Sequence, residues 1–197
     1  MPILDIFNQE ISHHDDFPSN LDIVNIEFGA GRSVYGKKEY PKCYVTDLNY
    51  PELLHFSQTE DYSDENSHFL DDLCHFYDYN FERTFENIIL CNPFGYGFKG
   101  LGDAKKFFDR AGQLLNLNGE IHIIGSSTND WCNRTAFEDY FYNEIEVYKS
   151  NYNFVLQEYT QLTRQDNINT TYRFYQTELK KITVPNEKLV IKKLDNE

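Results

Sequence analysis

From Leu21 onward, short apolar runs alternate with segments whose apolar residues recur at helical spacing. Residues 21–27 read as a buried strand, because Ile23, Val24 and Ile26 form an apolar run that stops at Glu27 and a Gly-bearing turn. A short helix is expected over 33–38 and a second strand over 42–47, ending at Asp47. Pro51 can open a helix over 51–57, since its missing N–H costs nothing in a first turn. The polar, acidic stretch 59–66 reads as a loop, and 68–70 as a weak strand ending at Asp71-Asp72. Asn87-Ile88-Ile89-Leu90-Cys91 has the unbroken apolar character of a strand buried on both faces. The spacing of Ala104, Phe107, Phe108, Ala111, Leu114 and Leu115 predicts an amphipathic helix over 103–115, and Asn118-Gly119 ends it in a turn. A strand over 120–125 follows, then a helix marked by Phe137, Tyr140, Phe141 and Ile145. Two alternating segments, 153–161 and 171–180, suit an antiparallel pair joined by a long connection.

Strands that alternate with helices pair in parallel through right-handed crossovers, so the fold class is α/β with a doubly wound, mostly parallel sheet. In such sheets a ligand sits at the carboxyl ends of the strands, near the point where the strand order reverses. The expected organisation is a leader over 1–20, one domain over 21–180 and a C-terminal tail over 181–197. Lys180, Lys181, Lys188, Lys192 and Lys193 cluster near that tail and read as a solvated charge run.

Composition narrows the function classes. The formal net charge is −14, so the basic footprint of a nucleic-acid binder is missing at the level of the whole chain. A nucleic-acid substrate is disfavoured on that ground, and a cationic substrate or a basic protein partner is favoured. Cys43, Cys74, Cys91 and Cys132 form no C-x-x-C pair and no zinc-like spacing, so no metal site is expected and all four read as reduced, as in a cytoplasm. His13-His14-Asp15-Asp16 reads as a polar loop. Met1 to Glu10 is neither basic nor followed by a long apolar run, which predicts neither a signal peptide nor a membrane span.

The candidate chemistry lies at the predicted strand ends. Ile26-Glu27-Phe28-Gly29-Ala30-Gly31 delivers a carboxylate and then Gly-x-Gly, which lets the backbone turn sharply beside a ligand. Position 34 is Val34, so the dinucleotide fingerprint fails, and an acid before the glycines suits an ammonium rather than a pyrophosphate. Asp47, followed by Leu48, can accept both hydrogen bonds of a ribose diol. Asp71 or Asp72, with Asp72 the better placed, can accept from an adenine amino group while Leu73 packs on the ring. Asn92 and Pro93 offer two carbonyl-type acceptors to a substrate amine, and Phe94 can stack on a planar group.

In this order and spacing, the four constellations resemble the class I S-adenosylmethionine-dependent methyltransferases over about 21–177. Glu27, Gly29 and Gly31 match the family's first motif, Asp47 its ribose acid and Asp72 its adenine-side acid. Asn92-Pro93-Phe94 is similar to the Asn-Pro-Pro-Tyr/Phe motif of the amino-methylating branch, one residue shorter, and Ser33 stands where many members carry a third glycine. The resemblance implies a Rossmann-like, seven-stranded sheet with an antiparallel last strand, with S-adenosyl-L-methionine as cofactor. It also implies N-methylation of a base or amine, with Asn92, Pro93 and Phe94 catalytic. Tyr96 is a second candidate stacking ring and Trp131 a candidate lining residue on the substrate side. His75 or His122 can be proposed as a base for an oxygen substrate, although each reads better as structural. The alternative is a catalytically silent relative that binds a protein partner, such as a basic toxin or nuclease.

Overall fold

The computed structural model describes residues 3–4, 10–11, 22–28, 36, 39–46, 69–70, 81, 83–91, 101–125, 151–163 and 186–195. Ile3–Leu4 (β1) and Glu10–Ile11 (β2) form a small antiparallel pair within the stretch expected as a leader. The remaining strands are Asn25–Phe28 (β3), Cys43–Thr46 (β4), Phe69–Leu70 (β5), Phe85–Cys91 (β6), Leu115–Gly125 (β7), Asn153–Gln161 (β8) and Glu187–Leu194 (β9). They join in one mixed sheet in the order β5-β4-β3-β6-β7-β9-β8. Pairs from β5 through β7 are parallel, whereas β9 runs antiparallel to both β7 and β8. The chain runs outward from β3 to β5 and then returns to lay β6 on the other side of β3. The strand order therefore reverses between β3 and β6, where an open parallel sheet leaves a crevice at its carboxyl edge.

Helix α1, Leu101–Leu114, carries the crossover between the parallel strands β6 and β7. It buries Phe107, Phe108, Ala111 and Leu114, the face that its spacing predicts. Register explains what that face meets. Ile26, Ile88 and Ile121 form one row across β3, β6 and β7, and Phe28, Leu90 and Ile123 another. These rows, with Leu189 and Ile191 of β9, join the α1 residues in a single apolar cluster. Phe108 stacks edge-on with Phe107 and Phe154, at centroid distances of 5.0 and 5.7 Å.

The alternate rows face the other way and are polar. Asn25, Asn87 and Glu120 share one row, and Glu27, Ile89 and His122 the next. Side chains in a strand alternate in direction, so one sheet face is a dry core and the other carries polar groups.

Two expectations are corrected at the C-terminal end. The tail expected over 181–197 contains β9, which lies inside the sheet between β7 and β8. Leu189-Val190-Ile191 is buried on both faces, as an interior strand requires, and the lysines around it hold specific places. Lys193 donates to the carbonyls of Gly112 and Leu115 at 2.7 and 2.8 Å, so its charge caps the end of α1. Lys188 pairs with Glu158 on β8 at 3.2 Å. Among the described residues the antiparallel partner of 153–161 is β9, in register from Asn153 with Leu194 to Gln161 with Glu187. The Asn118-Gly119 turn is realised inside β7 as an irregularity between the Leu115 and Glu120 pairings, with Asn118 at φ 64°. The segments 51–57, 137–145 and 171–180 lie outside the described residues.

Candidate functional site

Glu27 is the sequence-predicted site residue that the described structure contains. It sits one residue before the end of β3, beside the strand-order reversal, and its side chain is 0% exposed. Its Oε2 accepts the backbone N–H of Gly36 at 2.7 Å. Gly36 lies so close that an added Cβ would stand 2.5 Å from that oxygen and 3.0 Å from the Cys43 sulfur. A charge-assisted bond from a buried backbone amide is a strong tether, so Glu27 fixes the segment that follows Gly29-Ala30-Gly31 in sequence. Burial, and then the Glu27 charge, pushes the Cys43 thiol well above its usual value, while a backbone hydrogen bond opposes them. That thiol is held as a neutral, packed group.

Gly36 begins a helical hydrogen bond, from Tyr40 N–H to Gly36 C=O at 3.0 Å, and Pro41-Lys42 then turns the chain into β4. Lys42 takes φ 51°, and its carbonyl accepts the N–H groups of Val24 and Asn25. The Lys42 ammonium pairs with Asp22 at the surface.

A second polar constellation lies on the same sheet face. The Tyr40 hydroxyl meets His122 Nδ1 at 2.8 Å. His122 Nε2 lies 3.2 Å from Asn87 Oδ1 and 3.1 Å from Glu120 Oε2. Asn87 Nδ2 donates to Asn25 Oδ1 at 2.8 Å, and Asn25 Nδ2 to the Pro41 carbonyl at 2.7 Å. Burial, and next the Lys188 charge, lower the imidazole from 6.5 to about 4, against an opposing effect of Glu158, which favours the neutral ring at neutral pH. In that form Tyr40 donates to Nδ1, and the proton on Nε2 points to Asn87 and Glu120. With both ring nitrogens engaged and the ring 7% exposed, His122 is held as a structural group, the reading that the sequence favoured over a general base.

Gly29, Gly31, Asp47, Leu48, Asp72, Leu73, Asn92, Pro93, Phe94, Tyr96, Trp131 and His75 lie outside the described residues. What the structure supplies for them is the strand from which each follows. β3 ends at Phe28, β4 at Thr46, β5 at Leu70 and β6 at Cys91, and Phe28 neighbours Leu90 across β3 and β6. The donor set fits a cationic ligand: the tip of β3 carries a buried carboxylate where a pyrophosphate site would need amides free of nearby negative charge. The polar row escaped the sequence reading, although Asn25 and Asn87, each inside an apolar run, were its visible signal.

No family model matches the chain, and no curated protein does. Solved structures do. The 16S rRNA methyltransferase KamB aligns with a TM-score of 0.65 at 9% identity, covering 98% of this chain and 99% of that one. A 30S ribosomal A1408 methyltransferase from an uncultured bacterium aligns at 0.62 and 15% identity, with the same coverages. The N-methyltransferase NodS from Bradyrhizobium japonicum WM9, in complex with S-adenosyl-L-homocysteine, aligns at 0.55 and 11% identity, covering 88% of this chain and 79% of that one. The strand order and these alignments together establish that the chain has the Rossmann-like fold of the S-adenosylmethionine-dependent methyltransferases.

Proposed function

We propose that this protein is an S-adenosylmethionine-dependent methyltransferase that N-methylates an amine or a nucleobase. The observation that carries the reading is Glu27, a fully buried carboxylate beside the strand-order reversal, tethering the segment after Gly-x-Gly. Gly29 and Gly31 give the cofactor room at the tip of β3, and Glu27 supplies the negative potential that suits its ammonium group. Asp47, one residue beyond β4, accepts the ribose hydroxyls, with Leu48 beside it. Asp72, two residues beyond β5, accepts the adenine amino group, and Leu73 packs on the ring.

When bound, the cofactor supplies a methyl group on a sulfonium, a leaving group that needs no further activation. The task left to the chain is alignment and exclusion of water, and positioning of this kind can contribute up to about 7–11 kcal/mol. Asn92 and the Pro93 carbonyl, directly beyond β6, accept the hydrogens of the amine and aim its lone pair. Phe94 or Tyr96 stacks on a planar acceptor, and Trp131 lines the far side. An amine that attacks in its neutral form needs no strong base, which agrees with an engaged, neutral His122. The charge of −14 favours a small or cationic acceptor over a polynucleotide.

Transfer of labelled methyl from S-adenosylmethionine to a panel of amines and nucleosides tests the reading. The expected result is transfer to a nitrogen that disappears in Asn92→Ala, with cofactor affinity retained. Undiminished transfer in that variant removes Asn92 from the site, and transfer only to oxygen or carbon acceptors overturns N-methylation.

A further inference from the structure

The polar network at His122 begins and ends on neighbouring residues. Tyr40 donates its hydroxyl into it, and Pro41 accepts the last bond through its carbonyl. Between them the bonds run in one direction, from Tyr40 to His122, Asn87, Asn25 and Pro41, across three adjacent strands. Glu27 holds the other end of the same segment at the Gly36 amide. Glu27 and His122 stand in one register row with Ile89 between them, which spaces their backbones on the order of 10 Å apart. A short stretch of chain is thus fastened at two points to the middle of the sheet.

That stretch joins the two loops that matter in the proposed site. It follows Gly29-Ala30-Gly31, and it leads into β4, after which Asp47 comes next. The anchored Gly36 lies five residues after Gly31, and the anchored Pro41 six residues before Asp47. Simple core packing does not call for this arrangement. Apolar side chains would fill the same row without the desolvation of two amides and an imidazole, and buried polar groups are costly unless every one is satisfied. Here each is satisfied, in one geometry, and that geometry specifies a position for the segment.

We propose that His122, Asn87 and Asn25 are positioning residues for the cofactor site, acting through Tyr40 and Pro41 on the 36–42 segment. This rests on the cofactor reading above. None of the three touches the reacting atoms. Their contribution is to hold the glycine turn and Asp47 at the separation that an adenosine and its amino acid moiety require, so that binding does not have to order them.

The test compares two hydroxyl deletions on the full-length protein. Tyr40→Phe removes the first bond of the network and keeps the ring. Tyr159→Phe removes a comparable bond, from Tyr159 to Glu187 at 3.3 Å, on β8 at the edge of the sheet. Equilibrium dialysis with labelled S-adenosylhomocysteine gives the affinity of each, and amide hydrogen exchange without ligand gives local order. Tyr40→Phe is expected to weaken binding roughly fivefold, the effect of one lost hydrogen bond. It is also expected to speed exchange at the Gly36 and Tyr40 amides while α1 is unchanged. Tyr159→Phe is expected to leave both properties as in the wild type. Wild-type binding with equal affinity in the two variants overturns the positioning role alone. A wild-type protein that does not bind S-adenosylhomocysteine overturns the cofactor reading as well.

Discussion

His122 makes stability depend on pH over a defined window. The neutral imidazole is enclosed at 7% exposure, accepts from Tyr40 and donates to Asn87 and Glu120. Its proton affinity falls from 6.5 in the open chain to about 4 in the fold, through burial first and Lys188 second. Between those values the unfolded chain binds a proton that the folded chain refuses, so stability drops as pH falls. The full effect is about 3 kcal/mol, of which about 2 kcal/mol is lost by pH 5. Glu158, held below the usual carboxylate range by its Thr160 and Lys188 hydrogen bonds, stays ionised over most of the window. Urea unfolding of the wild type and His122→Gln at a series of pH values isolates the term, because other titrations are common to both. At neutral pH the variant is expected to be the less stable, having lost part of the network. Its deficit should shrink by about 2 kcal/mol on going to pH 5. Parallel stability curves for the two proteins would refute the assignment of a neutral, buried imidazole.

Other substitutions probe the packing around the site. Gly36→Ala puts a methyl group 2.5 Å from Glu27 Oε2 and should both destabilise the fold and weaken S-adenosylhomocysteine binding, seen by thermal melting and dialysis. Gly112→Ala should be destabilising despite the helix preference for alanine, since its Cβ would lie 2.2 Å from the Tyr152 ring; a gain in melting temperature would contradict this. Phe108→Ala removes a ring buried among Phe107 and Phe154 and should cost about 3–5 kcal/mol by chemical denaturation.

The parallel half of the sheet was legible because its strands are unbroken apolar runs: Asn25–Phe28, Cys43–Thr46 and Phe85–Cys91 fall within or close to the runs read from the sequence. Helix α1 was legible because its apolar residues keep one face. Strand β9 was not. Lys188, Lys192 and Lys193 flank Leu189-Val190-Ile191, and in sequence alone their charge masks a core strand. In the fold the Lys188 ammonium reaches Glu158 and the Lys193 ammonium the end of α1, partners far away along the chain. Glu27 was legible as an acid that ends an apolar run before Gly-x-Gly, but its bond to Gly36 depends on how the next segment folds back. The His122 network was hidden for the same reason, since Tyr40 and His122 are 82 residues apart.

If the carboxyl edge around the β3 and β6 tips binds S-adenosylmethionine, calorimetric titration of the purified protein with this compound, beside Gly29→Val, will show it. A single 1:1 site in the wild type, lost in Gly29→Val while the melting curve holds, is the predicted result. No heat of binding in the wild type, or an isotherm that Gly29→Val leaves unaltered, would contradict it.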